Sequence, residues 1–455
     1  MTTDSQANKT KPLLTMIGFS ALAIWAALTP PAGPSSGAAK LDSGDIAWML
    51  TASALVLLMT PGLSFFYGGM VRGKNVLSTM LQSFIAMGVV SILWVVVGFS
   101  LAFGDSIGGV IGNPLTFLMM HGVDGDPHPT LSPTFPLALF AIFQMKFAII
   151  TPALITGSFA ERVRFSTYIW FISLFTLLIY CPLAHMTWHP DGLLHKYGVL
   201  DFAGGTVVHM SAGLAALVGA LVMGPRHDHR RGKQHRPAHL PFVLLGTGML
   251  WFGWFGFNAG SALGANTVAV HAFLTTNTAS AAAMIAWLLF DGLRGGKATV
   301  MGACIGAVVG LVAITPAAGY VSTGSSIFIG AFAAVVSNLA VRWKSGTEID
   351  DTLDVFPCHG VGGIVGMILT GVMADKTVNA GGENGLLHGN PTLFFHHIVA
   401  LVGVAIGVMA GSWLIFKAVN VFSPLRVTPE QEEVGLDLSQ HGGSILDVGP
   451  VAMID

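Results

Sequence analysis

The chain is written in long apolar blocks separated by short polar ones. Eleven blocks reach or approach the roughly 20 apolar residues that carry a helix across a hydrocarbon layer. They lie near 45–67, 76–103, 135–159, 166–187, 201–223, 240–260, 268–290, 299–317, 325–342, 353–373 and 392–420. Blocks of this length predict an all-α polytopic membrane protein, not the weak alternation of a lipid-embedded barrel. Composition agrees: 53% of the residues are hydrophobic and 10% charged, where a soluble chain carries about 25% charged. The 57 glycines suit close helix packing in lipid, where small residues let backbones approach.

Three regions follow from this pattern. Residues 1–40 start polar, run apolar from Leu13 to Leu28, then turn rich in Pro, Gly, Ser and Ala, the layout of a secretory signal; a retained extra helix is the alternative. Residues 41–423 form the membrane domain, and 424–455 a polar tail with Glu430, Glu432 and Glu433. With eleven spans, one set of loops and the tail region hold 15 of the 21 Lys and Arg residues. The positive-inside bias then places the N-terminus outside and the tail in the cytoplasm. Loop 224–239 is the most basic; its His227, His229, His235 and His239 have no Cys or carboxylate set to complete a metal site. That loop reads as solvated, or as a docking surface for a partner or anionic lipid. Loop 104–134 is rich in Gly, Pro and Asp and is expected to roof an external vestibule. The net charge of −2 gives no nucleic-acid signal. Cys181, Cys304 and Cys358 are scattered and predict neither disulfides nor a metal.

An internal echo divides the membrane domain. Phe147-Ala-Ile-Ile-Thr-Pro-Ala153 in the third block answers Leu311-Val-Ala-Ile-Thr-Pro-Ala317 in the eighth, and His209 in the fifth answers His359 in the tenth. An offset of five spans reverses direction through the membrane, as an inverted repeat of two five-helix halves requires. The halves are 45–223 and 240–373, with 392–420 outside the repeat.

The candidate chemistry sits in these halves. Asp201 opens its block and is placed to cap free backbone N–H groups. His209 lies eight residues on, roughly 12 Å down a helix, where an ionisable ring marks a functional site; His359 is its expected partner. Trp188, Trp254 and Ser261 are expected to form one recruitment cup for a small cation, which aromatic faces attract and a hydroxyl oxygen accepts N–H bonds from. Phe147 and Phe257 would close the path below. A bare cation is costly in an apolar conduit, so a species able to shed a proton has the advantage. Each residue also has a structural reading: belt aromatics, core phenylalanines, a capping Asp201, a Ser261 bonded to its own backbone.

The stretches FQMKFAIITPALITGSFAERVRF (143–165), AHMTWHPDG (184–192), LDFAGGTVVHMSAG (200–213), GWFGFNAGSA (253–262), DVFPCHGVGGIVG (354–366) and LRVTPEQEEVGLD (425–437) together resemble the Amt/Rh ammonium transporter family, its bacterial Amt branch most closely. The resemblance implies a homotrimer in the cytoplasmic (inner) membrane, one pore per protomer, carrying ammonium or methylammonium without a cofactor. It implies ammonium recruitment at Trp188, Trp254 and Ser261, a gate at Phe147 and Phe257, pore histidines at His209 and His359, and a structural carboxylate at Asp201. It also implies a P-II-type nitrogen regulator docking on loop 224–239 and tail 425–440. Lys146 before the gate, and His189-Pro190 after Trp188, depart from the family pattern. Lys146 is expected to pair across helices or face an inner cavity. The rival readings are an ammonium sensor that conducts little and an Rh-like neutral-gas channel.

Overall fold

The computed structural model describes residues 4–28, 40–232 and 236–445, with side chains from residue 16 onward. Lys233 and His235 of the basic loop, residues 29–39 of the expected leader and the end of the tail lie outside the described residues.

Helix α1 spans Asp4–Leu28. Ten further helices are long and apolar enough to cross a membrane: α2 Ser43–Met70, α3 Gly73–Phe103, α4 Leu137–Phe159, α5 Phe165–Lys196, α6 Gly205–Met223, α7 Leu240–Ala262, α8 Thr267–Leu293, α10 Thr323–Ser345, α11 Phe356–Met373 and α12 Pro391–Phe422. The expected block at 299–317 is the short α9, Val300–Ile314. At about 1.5 Å per residue it is shorter than the hydrocarbon layer. Cys304 to Ile314 are all buried, and non-helical backbone at membrane depth is tolerated when protein surrounds it. Polar side chains start several helices: Asp42, Asn266, Thr299 and Ser322 each accept an N–H of their first turn, satisfying donors that the helix leaves open.

The eleven spans, α2 to α12, form two inverted five-helix halves with α12 added. Within the first half α2 packs mainly along α7 of the second; α8 packs on α9 and α10. The halves meet where α6 crosses α11. Gly213, one turn beyond His209, lies so near Gly360 that a Cβ on it would collide with the Gly360 backbone. Glycine there lets the two histidine segments touch.

Alternation of the spans gives the molecule two faces. One carries the loop over 104–134, whose strands are two short antiparallel ribbons: β1 (Ser106–Ile107) with β2 (Ile111–Gly112), and β3 (Pro127–His128) with β4 (Ser132–Pro136). The other carries the tail, folded as α13 (Pro429–Val434) and α14 (Leu436–His441). Asp437 accepts the N–H groups of Leu77 and Ser78 at 3.1 and 2.8 Å, capping α3. Lys74 Nζ donates to the Glu432 carbonyl at 3.0 Å, and Arg426 holds the Glu432 carboxylate at 2.6 Å. Beside them Arg226 binds Asp350 at 2.8 Å and Glu161 at 2.7 Å, all three buried. The tail is therefore docked on the ion-paired loops of its face.

Candidate functional site

The site is built on two interruptions of α-helix. Gly205–Met210 and Phe356–Val361 are π-helical, a wide turn that is frequent at functional sites; Trp94–Gly98 and Thr176–Tyr180, outside this site, are π-helical too. Asp201 fixes the first. Its Oδ1 accepts the Gly204 and Gly205 amides at 2.9 and 2.6 Å, and its Oδ2 the Thr206 amide at 2.8 Å and hydroxyl at 2.5 Å. Gly204 supplies the left-handed φ of 114° that lets the chain fold back over this carboxylate.

The turns present His209 and His359 to each other. Their Nδ1 atoms are 3.4 Å apart and the rings 5.4 Å between centroids; both side chains are buried. Thr315 orients the pair. Its hydroxyl donates to the Leu311 carbonyl at 2.7 Å and accepts the Trp254 indole N–H at 2.9 Å. What remains at the oxygen is a lone pair, 3.2 Å from His209 Nε2. Nε2 must then carry the proton, His209 Nδ1 is an acceptor, and His359 Nδ1 is the donor; the tautomers follow from this donor count.

Above the pair, Phe147 and Phe257 stack with centroids 4.2 Å apart, and the Phe257 ring lies 5.8 Å from His209. Beyond the stack opens a vestibule of about 570 Å3, lined by Phe147, Trp188, Asp201 and Ser261. The Trp188 indole donates to the Asp201 carbonyl at 3.0 Å and stands edge-on to Phe147 at 5.9 Å. The Ser261 hydroxyl donates to the Phe257 carbonyl at 2.9 Å, which leaves its oxygen lone pairs free to accept. The roof expected from loop 104–134 is present in part: Thr130 and Leu131 line this vestibule.

Trp254 is placed differently from expectation. It does not share the cup with Trp188 and Ser261. It lies below the phenylalanine stack, 1% exposed, with its ring 5.2 Å from His209. Helix α7 runs toward the vestibule, so Trp254, seven residues before Ser261, is about 10 Å deeper. There it lines a narrow apolar cavity with Phe257, His209, His359 and Val208.

Lys146 adopts neither expected arrangement. It lines neither of these cavities and has no charged partner among the described residues; its Nζ donates to Met145 Sδ at 3.8 Å. Ile142, one turn before it, is 41% exposed, so this face looks out of the molecule. After Trp188, the His189 ring stacks on His185 at 4.4 Å, and its Nδ1 accepts the Asp191 amide at 3.0 Å, so the departure makes an ordered turn.

Two residues that the sequence reading missed belong here. Asp351 accepts the Val355 and Phe356 amides at 3.2 and 2.7 Å and starts the second π-turn. It precedes His359 by eight residues, as Asp201 precedes His209. Thr315 is the Thr-Pro of the internal echo, a signal that was visible but not connected to the histidines.

A ring stack above a paired, buried imidazole site in an apolar conduit suits a small molecule that binds as a cation and crosses uncharged. The profile of the Ammonium Transporter Family matches residues 47–445. The chain belongs to the ammonium transporter family. An ammonium transporter of Aquifex aeolicus is 48% identical over 406 residues, covering 89% of this chain and 93% of that one. Among solved structures, Saccharomyces cerevisiae Mep2 superposes with a TM-score of 0.81 at 35% identity, covering 86% of this chain and 89% of that one. A protein described as a sensor Amt protein superposes with 0.78 at 29% identity, covering 88% and 98%. This ammonium transporter family member is a multi-pass membrane protein that moves ammonium across a bilayer.

Proposed function

We propose that ammonium enters from the vestibule, where NH4+ rests against the Trp188 and Phe147 rings and donates to the Ser261 oxygen. At the Phe147–Phe257 stack it gives up a proton to vestibule water, and NH3 passes the stack and the His209–His359 pair. Aromatic faces hold a partly desolvated cation, and a charge is expensive in the lining below. The observation that carries this reading is the succession itself: a 4.2 Å ring stack directly above two imidazoles in contact at 3.4 Å. In this reading Trp254 is a wall of the imidazole site and not part of the recruitment cup, and Asp201 is a structural carboxylate.

The vestibule faces outward and the tail lies in the cytoplasm, which the excess of basic residues on the tail face supports. The membrane is the inner membrane, the protomers form a homotrimer, and residues 1–40 are a signal peptide or an additional segment. The docked tail and the described part of loop 224–239, joined where Glu432 accepts the His227 amide at 2.8 Å, form one surface suited to a P-II-type nitrogen regulator.

Ammonium-driven alkalinisation or methylammonium uptake in proteoliposomes is the test. Flux should disappear in His209→Ala, and undiminished flux in that variant sinks the pore assignment. An ammonium-evoked current on a solid-supported membrane shows that the separated proton also crosses; its absence leaves NH3 as the only species moved. The likeness to a sensor Amt protein supports a second reading, a sensor, which predicts ammonium binding without uptake.

A further inference from the structure

Two residues in the vestibule wall carry a buried acceptor without a partner among the described residues: Gln144 Oε1 and Thr187 Oγ1. Both residues line the cavity, yet Thr187 is only 3% exposed and Gln144 7%. The sequence places them at the floor. Gln144 lies between Phe140 and Phe147 at intervals of four and three residues on α4, so the three share one face, and all three line the vestibule. Thr187 immediately precedes Trp188. Thr187, like Thr60, departs from most buried threonines among the described residues. Thr151, Thr247, Thr315 and Thr370 each donate their hydroxyl to the carbonyl one turn earlier, which is how a threonine inside an apolar helix is ordinarily satisfied. Thr187 makes no such bond. Leaving a buried polar atom unmatched is costly, so a site that keeps two of them beside a cation cup gains when a donor arrives.

The donor has a defined chemistry. NH4+ carries four N–H bonds at tetrahedral angles. In the cup described above, one goes to the Ser261 oxygen, and the Trp188 and Phe147 rings take up part of the remaining charge. We propose that Gln144 Oε1 and Thr187 Oγ1 accept N–H bonds that the aromatic cup leaves unmatched, and so set the preference for ammonium over methylammonium. Replacing one N–H by a methyl group removes a donor and puts an apolar group against an acceptor. A site built to hydrogen-bond its ligand discriminates strongly against an analogue lacking the donor, because its own buried group stays unpaired. The terminal amide of Gln144 can be turned to present its oxygen, since its two ends are interchangeable in shape.

The inference rests on the recruitment role given to Trp188 and Ser261, so those residues serve as the control. Ammonium and methylammonium KM are measured by flux in proteoliposomes for Thr187→Val and Gln144→Met, which keep the volume and remove the acceptor. Thr187→Ser restores the hydroxyl, and Trp188→Leu and Ser261→Ala test the cup. The ammonium KM should rise about tenfold in each acceptor variant, the loss of one hydrogen bond. The methylammonium KM should move about threefold or less, and Thr187→Ser should recover the native ratio. Equal shifts for both substrates, or no shift, while Trp188→Leu and Ser261→Ala still weaken both, overturn the acceptor role and leave the cup standing. Unchanged KM values in the Trp188 and Ser261 variants overturn the cup itself. If Thr187→Val does not reach the membrane, the Gln144→Met ratio decides alone.

Discussion

Asp201 stands eight residues before His209, and Asp351 eight residues before His359. Each carboxylate caps a π-turn, and each turn delivers a histidine to the same point from an opposite face of the membrane. The surroundings differ. Asp201 satisfies three backbone amides and a hydroxyl, Asp351 two amides. His209 is held by Thr315 and flanked by the rings of Trp254 and Phe257, whereas His359 has no hydrogen-bond partner besides His209 among the described residues. The scaffold is repeated but the load on it is not. The first-half ring is fixed by side chains of the second half, while the second-half ring is held by its partner alone, so matched substitutions in the two halves should have unequal consequences.

Removing the caps should have the largest effect. Asp201→Ala orphans three buried amides, at roughly 1–3 kcal/mol each, a loss on the order of 5 kcal/mol that should abolish folding or membrane accumulation. Asp351→Ala orphans two but also removes a buried carboxylate, so its loss should be smaller. Thermal unfolding in detergent compares them, and an equal loss would show that the halves are energetically alike.

The second cap can also be separated from its surroundings by pH. Burial pushes the Asp351 carboxyl up to about 6, against the pull of Lys344. Its folded-state affinity for a proton thus exceeds that of the unfolded chain, whose carboxylate titrates near 4. The cost of keeping it charged is fully present above about pH 6 and fades as pH falls toward 4, a contribution of roughly 3 kcal/mol at most. Its neighbour Asp350 behaves oppositely. Burial would raise it too, but the hydrogen bonds and charge of Arg226, with the charge of Arg162, hold it well below the usual range. Its contribution is present above about pH 4 and is lost below that. Between pH 4 and 6 Asp351→Asn should therefore flatten the stability slope relative to the native chain, and an unchanged slope would remove Asp351 from the account.

The echo supplies a finer contrast. Thr315 and Thr151 occupy the same place in their repeats, and both donate to the carbonyl four residues earlier. Only Thr315 also meets His209. Thr315→Val should lower ammonium flux about tenfold, the worth of one buried hydrogen bond, while Thr151→Val changes it by about twofold or less. Equal losses would mean that the threonines act through helix geometry and not through the His209 tautomer.

These contrasts also explain what could be read from the sequence. The spans were legible because apolar length alone decides them, and α9 came out short because a buried helix need not cover the hydrocarbon thickness. The Asp201–His209 pairing and the partner His359 were legible because polar groups inside apolar blocks stand out. Phe147 meets both Phe257 and Trp188, and Phe147, Trp188 and Ser261 line one cavity. Trp254 was misplaced because face spacing says nothing of depth: three residues before Phe257 keeps it near the same side but moves it under the stack. Asp351 went unnoticed because it lies in the polar loop before α11, where one more carboxylate attracts no attention. Thr187 and Gln144 were invisible, since an unmatched acceptor is a property of packing.

The smallest effect belongs to the position just before each echo. In the second half it is Gly310, where a Cβ would lie 2.5 Å from the Ala279 carbonyl oxygen and 2.6 Å from Ala283 Cβ; α9 is sealed against α8 there. In the first half it is Lys146, on the face of α4 that Ile142 leaves exposed. The repeat thus keeps one tight contact and releases its counterpart, and a lysine has room only where the contact was released. A cation near mid-depth costs on the order of 3 kcal/mol on an insertion scale, part of which its long stem recovers by reaching toward the interface. Lys146→Met should therefore raise thermal stability by about 1 kcal/mol and leave ammonium flux unchanged, because the side chain lines neither the vestibule nor the cavity between the histidines. A flux change with unchanged stability would instead tie this outward face to permeation through the adjacent Phe147, and the two halves would then differ in coupling as well as in packing.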